Sequence, residues 1–292
     1  MQIKSKQIKV LSYILSILLL ISTLFFIVGC NSNRINVISR DSASGTRSTF
    51  DNYFGITKVR KDASFLNSNG MILSCVNRDR RAIGYVSYKS YISSRQAFNN
   101  VKAITLDSKN VEDADYTLGH TLNLIFRDEI AQNNATLNSF LKFLDSQEAN
   151  QIIVDEGYQS VNTNIQSFEK PTTILTDNLT IGGSTSIEPV MQKLREKYID
   201  MVGSQLKGKI EIQGGGSSKG INDVKSNAFQ LGMSSRELTT DEKNGVEVKG
   251  LAKENIVIIV NTRNSVDDLT REQVQWIFSN EIKDWTKLQN EK

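Results

Sequence analysis

Three short stretches rich in glycine and hydroxyl side chains constrain this 292-residue chain more than anything else in it: RDSASGTRSTF at 40–50, GGSTS at 182–186 and GGGSSKG at 214–220. Each falls where a short apolar strand pattern gives way to a helical one. The first turn of a helix leaves backbone N–H groups without partners, and these favour an anion. The first stretch adds a guanidinium, that of Arg40. Three such corners converging on one spot would hold an oxyanion without covalent chemistry. Taken singly, each has a plainer explanation, because glycines mark tight turns in any α/β protein. The repetition argues for more. Ser44 and Thr46, Thr185 and Ser186, Ser217 and Ser218, and Ser234 and Ser235 all place hydroxyls at strand-to-helix junctions.

The alternation continues along the chain and predicts an α/β fold. Apolar strand patterns occupy 35–39, 82–87, 101–106, 122–126, 179–182, 209–213, 230–233 and 255–261. Residues 136–156 carry a one-sided helical stripe, broken near Ser146. Thr270 and Gln273 fit a capping box ahead of Val274, and Pro189 sits early in a helix expected from 187 to 198. The polar, aperiodic segment 162–178, with Pro171, reads as a surface linker.

Lys4, Lys6 and Lys9 precede an apolar run from 10 to 28, which closes on Gly29-Cys30. This reads as a lipoprotein leader over residues 1–29, with Cys30 as the lipidated amino terminus; the alternative is a plain membrane anchor. The chain has 35 basic and 32 acidic residues, and three of the lysines belong to the leader. The remainder is balanced, which gives no reason to expect nucleic acid as a partner. With Cys30 lipidated, Cys75 has no cysteine to pair with and reads as a small buried hydrophobe.

An enzyme reading has one foothold. Gly216-Ser217-Ser218-Lys219-Gly220 satisfies the GxSxG pattern of a nucleophile elbow. That chemistry needs a histidine, and the one present, His120, precedes the serine instead of following it. The match is accidental, and His120 reads as a strand residue. No phosphate-loop lysine pattern and no His/Cys cluster for a metal is present, so neither a catalytic residue nor a cofactor is expected.

The strings GGSTSIEPV, IQGGGSSKGI, LGMSSREL, LTREQVQWIFSNEIKDW, ISRDSASGTRSTF, AIGYVS and EANQIIVDEGY together resemble the phosphate-binding lipoproteins of bacterial phosphate ABC importers. The resemblance covers nearly all of the chain after the leader. It implies a two-lobed periplasmic-binding-protein fold (type II), with two crossover strands joining the lobes and a cleft that closes on one dehydrated phosphate. It further implies a monomer, lipid-anchored outside the cytoplasm, that delivers phosphate to a membrane permease. By position, Arg40, Ser44, Gly45 and Thr46 become ligands from one lobe, and Thr185, Ser186, Ser217 and Ser235 from the other.

Two departures from the family pattern stand out. In the family the GSTS strand opens the chain and the RDSASGTR stretch lies in its middle; here that order is rotated, as by circular permutation. The expected division is therefore 30–103 plus 262–292 for the Arg40 lobe and 104–261 for the other, with the hinge near 103–106 and 260–263. The second departure is Ser235, where many members of the family carry an aspartate that accepts the proton of hydrogen phosphate and repels sulfate. Sulfate or another tetrahedral oxyanion is thus the alternative ligand. A surface lipoprotein that kept the fold but lost transport, serving as a sensor or adhesin, is the alternative role.

Overall fold

The computed structural model describes residues 33–162 and 166–290; the expected leader and Cys30 lie outside the described residues. From the amino end run β1 (Asn36–Arg40), α1 (Gly45–Phe54), β2 (Ser64–Leu66), α2 (Asn69–Arg78), β3 (Ala82–Ser87), α3 (Tyr88–Ser93), β4 (Val101–Ala103) and β5 (Thr105–Leu106). The middle of the chain supplies β6 (Gly119–Phe126), α4 (Asp128–Asn133), α5 (Ala135–Leu144), α6 (Gln147–Asp155), β7 (Gln159–Ser160), β8 (Leu179–Gly183), α7 (Glu188–Val202), β9 (Ile210–Gly214), α8 (Ser217–Lys225) and β10 (Leu231–Ser234). It ends with α9 (Thr240–Lys243), β11 (Glu247–Asn261), β12 (Asp268–Leu269) and α10 (Arg271–Ser279). No described helix is long and apolar enough to cross a membrane.

Residues 35–283 form one compact unit. Its main sheet follows the path β2-β1-β3-β11-β6-β10-β8-β9, with β4 and β7 also paired to β11. The fifteen-residue β11 joins the two halves of this sheet. From Glu247 to Asn255 it runs antiparallel to β6, and from Ile256 to Val260 antiparallel to β3. Only its second part is apolar enough to read as a strand from sequence. Gly250 and the register shift beside it break the pattern of the first.

The partner change comes between Asn255, opposite Gly119, and Ile256, opposite Ser87. That is earlier than the crossing expected near 260–263. The other crossing is also displaced, because 104–118 stays with the β1 half: Ile104 N–H donates to Ile258 O at 3.0 Å and Tyr116 Oη to Ile256 O at 2.8 Å. The expected strand 101–106 is interrupted at Ile104, with β4 pairing β11 and β5 pairing β12. At the ends of the unit, Ile35 N–H donates to Lys283 O at 2.8 Å, so its first and last residues are neighbours.

Local signals act as their chemistry predicts. The helical stripe breaks at Ser146, whose hydroxyl caps α6 by accepting from Ala149 N–H at 3.2 Å. Thr270 and Gln273 form the complete capping box of α10, and Pro189 lies in the first turn of α7. The polar linker is tied down at its far end: Leu175 is buried, and its N–H donates to Gln205 O at 2.8 Å. Cys75 is half-buried against the Ile72, Leu73 and Val76 cluster.

Each half has its own core. In the β8 half, Phe140, Phe143 and Tyr198 pack with Leu137, Leu179 and Leu231. In the β1 half, Phe50 stacks on Tyr85 with centroids 3.8 Å apart, and Phe278 closes the cluster. Burying such a phenyl group is worth about 3–5 kcal/mol against alanine. Tyr85 also serves the site. Its hydroxyl pairs with Ser39 Oγ at 2.9 Å and accepts from Arg40 N–H at 3.4 Å, fixing the end of β1. Burial pushes the Tyr85 phenol up, so it stays protonated.

Candidate functional site

Arg40 is the last residue of β1 and the largest fully buried side chain described. Its guanidinium is held by three neutral oxygens: Nε donates to Leu66 O at 3.3 Å, Nη1 to Asn69 Oδ1 at 2.8 Å and Nη2 to Asn67 O at 2.9 Å. Among the described residues, no carboxylate lies within ion-pairing distance of it. Desolvation lowers its pKa, while Tyr85 and Asp41 raise it. A guanidinium has five N–H bonds, so these three partners leave one hydrogen on each terminal nitrogen. That pair is the fork that meets two oxygens of an anion side by side.

The other candidates come from helix starts and strand ends. Ser44 is the N-cap of α1; its Oγ accepts from Arg47 N–H at 3.2 Å, which leaves its own proton to donate. Gly45 and Thr46 fill the buried first turn of α1. Ser217 opens α8, and its Oγ accepts from Ser235 N–H at 3.0 Å. Ser235 follows β10, and Ser186 lies between β8 and α7.

These residues meet across the two halves of the sheet. Thr46 Oγ1 and Ser186 Oγ share a hydrogen bond of 2.9 Å. Ser217 Oγ and Ser235 Oγ are 3.3 Å apart. A methyl group built on Gly45 would press into Ser217 Oγ and lie 2.8 Å from Ser235 Oγ. Ser218 N–H donates to Ala43 O at 3.0 Å, which locks the first turn of α8 against the loop before α1. The helix starts of α1 and α8 therefore bring their positive dipole ends to one buried place. Among the described residues, no hydrogen bond ties Arg40, Ser44 or Thr185 directly to another of the eight. Thr185 is half-buried, and its hydroxyl has no partner within the described residues.

Two further residues belong to this network, and sequence reasoning missed both. Ser184 Oγ donates to Ser235 Oγ at 2.9 Å and accepts from Ser186 N–H at 3.2 Å. Asn69, buried at the start of α2, bonds Arg40 and reaches Ser186 Oγ at 3.3 Å. Ser184 lies inside the GGSTS stretch and was in view. Asn69 carried no signal, because NSNG reads as an ordinary helix start.

The residues of the rejected hydrolase reading are otherwise engaged. Ser218 Oγ accepts from Arg236 Nη2 at 3.2 Å. His120 is buried on β6, its Nε2 3.4 Å from Glu254 Oε2. No hydrogen bond joins Ser218 to His120 among the described residues. Arg236 also grips Glu242 with two bonds of 2.7 Å, and this hydrogen bonding holds the Glu242 carboxyl at about 2. That pair secures the loop leaving Ser235.

Residues 167–292 match the PBP superfamily domain. Over 270 residues the chain is 31% identical to the phosphate-binding protein PstS 2 of Streptococcus agalactiae, with 87% of each chain covered. With the phosphate-binding protein PstS of Bacillus subtilis the match is confined to 116 residues at 29% identity, 38% of this chain and 37% of that one. A crystal structure of a phosphate-binding protein of a phosphate ABC transporter, from Streptococcus pneumoniae, superimposes with a TM-score of 0.64 at 29% identity, covering 87% of this chain and 99% of that one. This extent of identity and coverage makes the chain a member of the PstS family of phosphate-binding proteins, within the PBP superfamily.

Proposed function

We propose that the protein captures inorganic phosphate outside the cytoplasm and hands it to the permease of an ABC importer. The observation that carries this reading is Arg40: a buried cation with three neutral partners and a free fork, linked through Asn69 to Ser186, whose hydroxyl meets that of Thr46. A dehydrated tetrahedral oxyanion satisfies that arrangement. Arg40 supplies the charge. Ser44, Thr46, Ser186, Ser217 and Ser235 donate hydroxyl protons, Gly45 gives close approach and a backbone N–H, and Thr185 brings its unpartnered hydroxyl.

In this reading the two halves of the sheet are lobes, which the fold shared with the phosphate-binding protein of Streptococcus pneumoniae supports. The strand pairing favours a hinge at Leu118–Gly119 and Asn255–Ile256, where the two crossings lie side by side. A rotated chain order accounts for a match that runs along 270 residues of one relative but only 116 of another. The adjacency of Ile35 and Lys283 supports it, since the family order needs those residues joined. Lipidation at Cys30 would place the tether on the Arg40 lobe. Mass spectrometry of the mature amino terminus tests this, and an uncleaved Met1 would refute it. The protein acts as a monomer and needs no cofactor.

Sulfate is the competing ligand, because Ser235 brings no negative charge to the site. Thermal unfolding with either anion distinguishes the two. Phosphate at a hundredfold its dissociation constant should add about 2.7 kcal/mol of stability. No shift with phosphate, together with a shift in sulfate, would reassign the ligand; silence toward both would leave a lipoprotein without transport function.

A further inference from the structure

The hydrogen bonds of Asn69 fix which way its amide faces. Arg40 Nη1 can only donate, so the atom 2.8 Å from it must be the carbonyl oxygen, Oδ1. Nδ2 then faces three hydroxyls: Ser90 Oγ at 2.9 Å, Ser87 Oγ at 3.2 Å and Ser186 Oγ at 3.3 Å. All four side chains are buried. An amide nitrogen has two hydrogens for these three acceptors. Ser87 and Ser90 lie on the Arg40 side, so Asn69 remains satisfied when Ser186, from the other side, moves away.

The choice of an amide here has an electrostatic consequence. A buried arginine is ordinarily secured by a carboxylate, which fixes the guanidinium and cancels its charge at once. Asn69 gives the same fixing bond with no charge. The other two acceptors of the guanidinium, Leu66 O and Asn67 O, belong to the backbone leading into α2.

We propose that Asn69 is a positioning residue that sets the affinity of the site. It aims the Arg40 fork while leaving its positive charge uncompensated for the anion, and it senses arrival of the opposite lobe through Ser186. This rests on the reading of the site as an anion site. It adds that neutrality at position 69, beyond shape, sets affinity.

Phosphate titrations of Asn69→Asp and Asn69→Ala test the claim, with melting temperatures of the ligand-free proteins alongside. Aspartate keeps the size and the acceptor, so a purely structural role predicts that it binds better than alanine. The proposal predicts the reverse order: Asn69→Asp binds at least tenfold more weakly than Asn69→Ala, while melting no lower. Binding by Asn69→Asp equal to or tighter than that of Asn69→Ala overturns it. Should the aspartate variant fail to fold, Asn69→Ser decides. A neutral acceptor is expected to keep affinity within tenfold of the native protein, and a loss as large as that of Arg40→Ala overturns the proposal. Arg40→Ala is also the control for the site itself, because unchanged binding there would remove the anion site and leave Asn69 a core residue.

Discussion

Arg40→Ala is expected to weaken phosphate binding by about 3–5 kcal/mol, roughly two to four orders of magnitude, because the anion would be buried without the guanidinium proposed to pair with it. Arg40→Lys should recover little of this. A lysine ammonium is a point charge on a flexible stem, and it cannot satisfy Leu66 O, Asn67 O and Asn69 Oδ1 while presenting a planar fork to the ligand. Stability of the ligand-free protein should change far less than affinity. The alanine variant loses a packed side chain but also loses a buried charge whose partners are all neutral. Isothermal titration of the purified variant measures the effect, and a loss below tenfold would mean that Arg40 does not touch the ligand.

Gly45→Ala should separate binding from folding in a different way. Gly45 lies at the start of α1 with ordinary negative φ, so alanine adopts its backbone without strain, and its helix propensity is the better of the two. Its methyl group, however, would meet Ser217 Oγ and stand 2.9 Å from the carbonyl carbon of Ser235. The hydroxyl can turn aside, whereas the backbone of Ser235 cannot. Closure of the two sides over a ligand should therefore cost about 1–3 kcal/mol more, read as up to a hundredfold loss of phosphate affinity at an unchanged or raised melting temperature. Native affinity in this variant would show that the two sides do not approach so closely when phosphate is bound.

Much of this site was legible in the sequence because its parts are local. Glycine-hydroxyl corners announce themselves by composition, and Ser44, Thr46, Ser186, Ser217 and Ser235 all sit where a strand hands over to a helix start. What stayed hidden depends on the partner. Asn69 matters because Arg40 and Ser186 arrive beside it from other elements, and nothing within NSNG records that meeting. The change of strand partner at Asn255–Ile256 is hidden for a related reason. Residues 247–254 lack a clean apolar alternation, since the glycine-marked bulge and the lysines interrupt it, yet pairing with β6 makes them strand. The break of the 136–156 stripe at Ser146 was readable because a helix cap is chemistry within four residues.

The position of β11 has a bearing on how the molecule is made. The strand lying between β3 and β6, residues 247–261, comes after every other strand of the main sheet in chain order. Until it emerges, β3 and β6 each lack the neighbour that connects them, and apolar edges of both remain open. Contacts this distant along the chain are slow to form. Assembly of the complete sheet must therefore await β11, the strand furthest along the chain of those that build it.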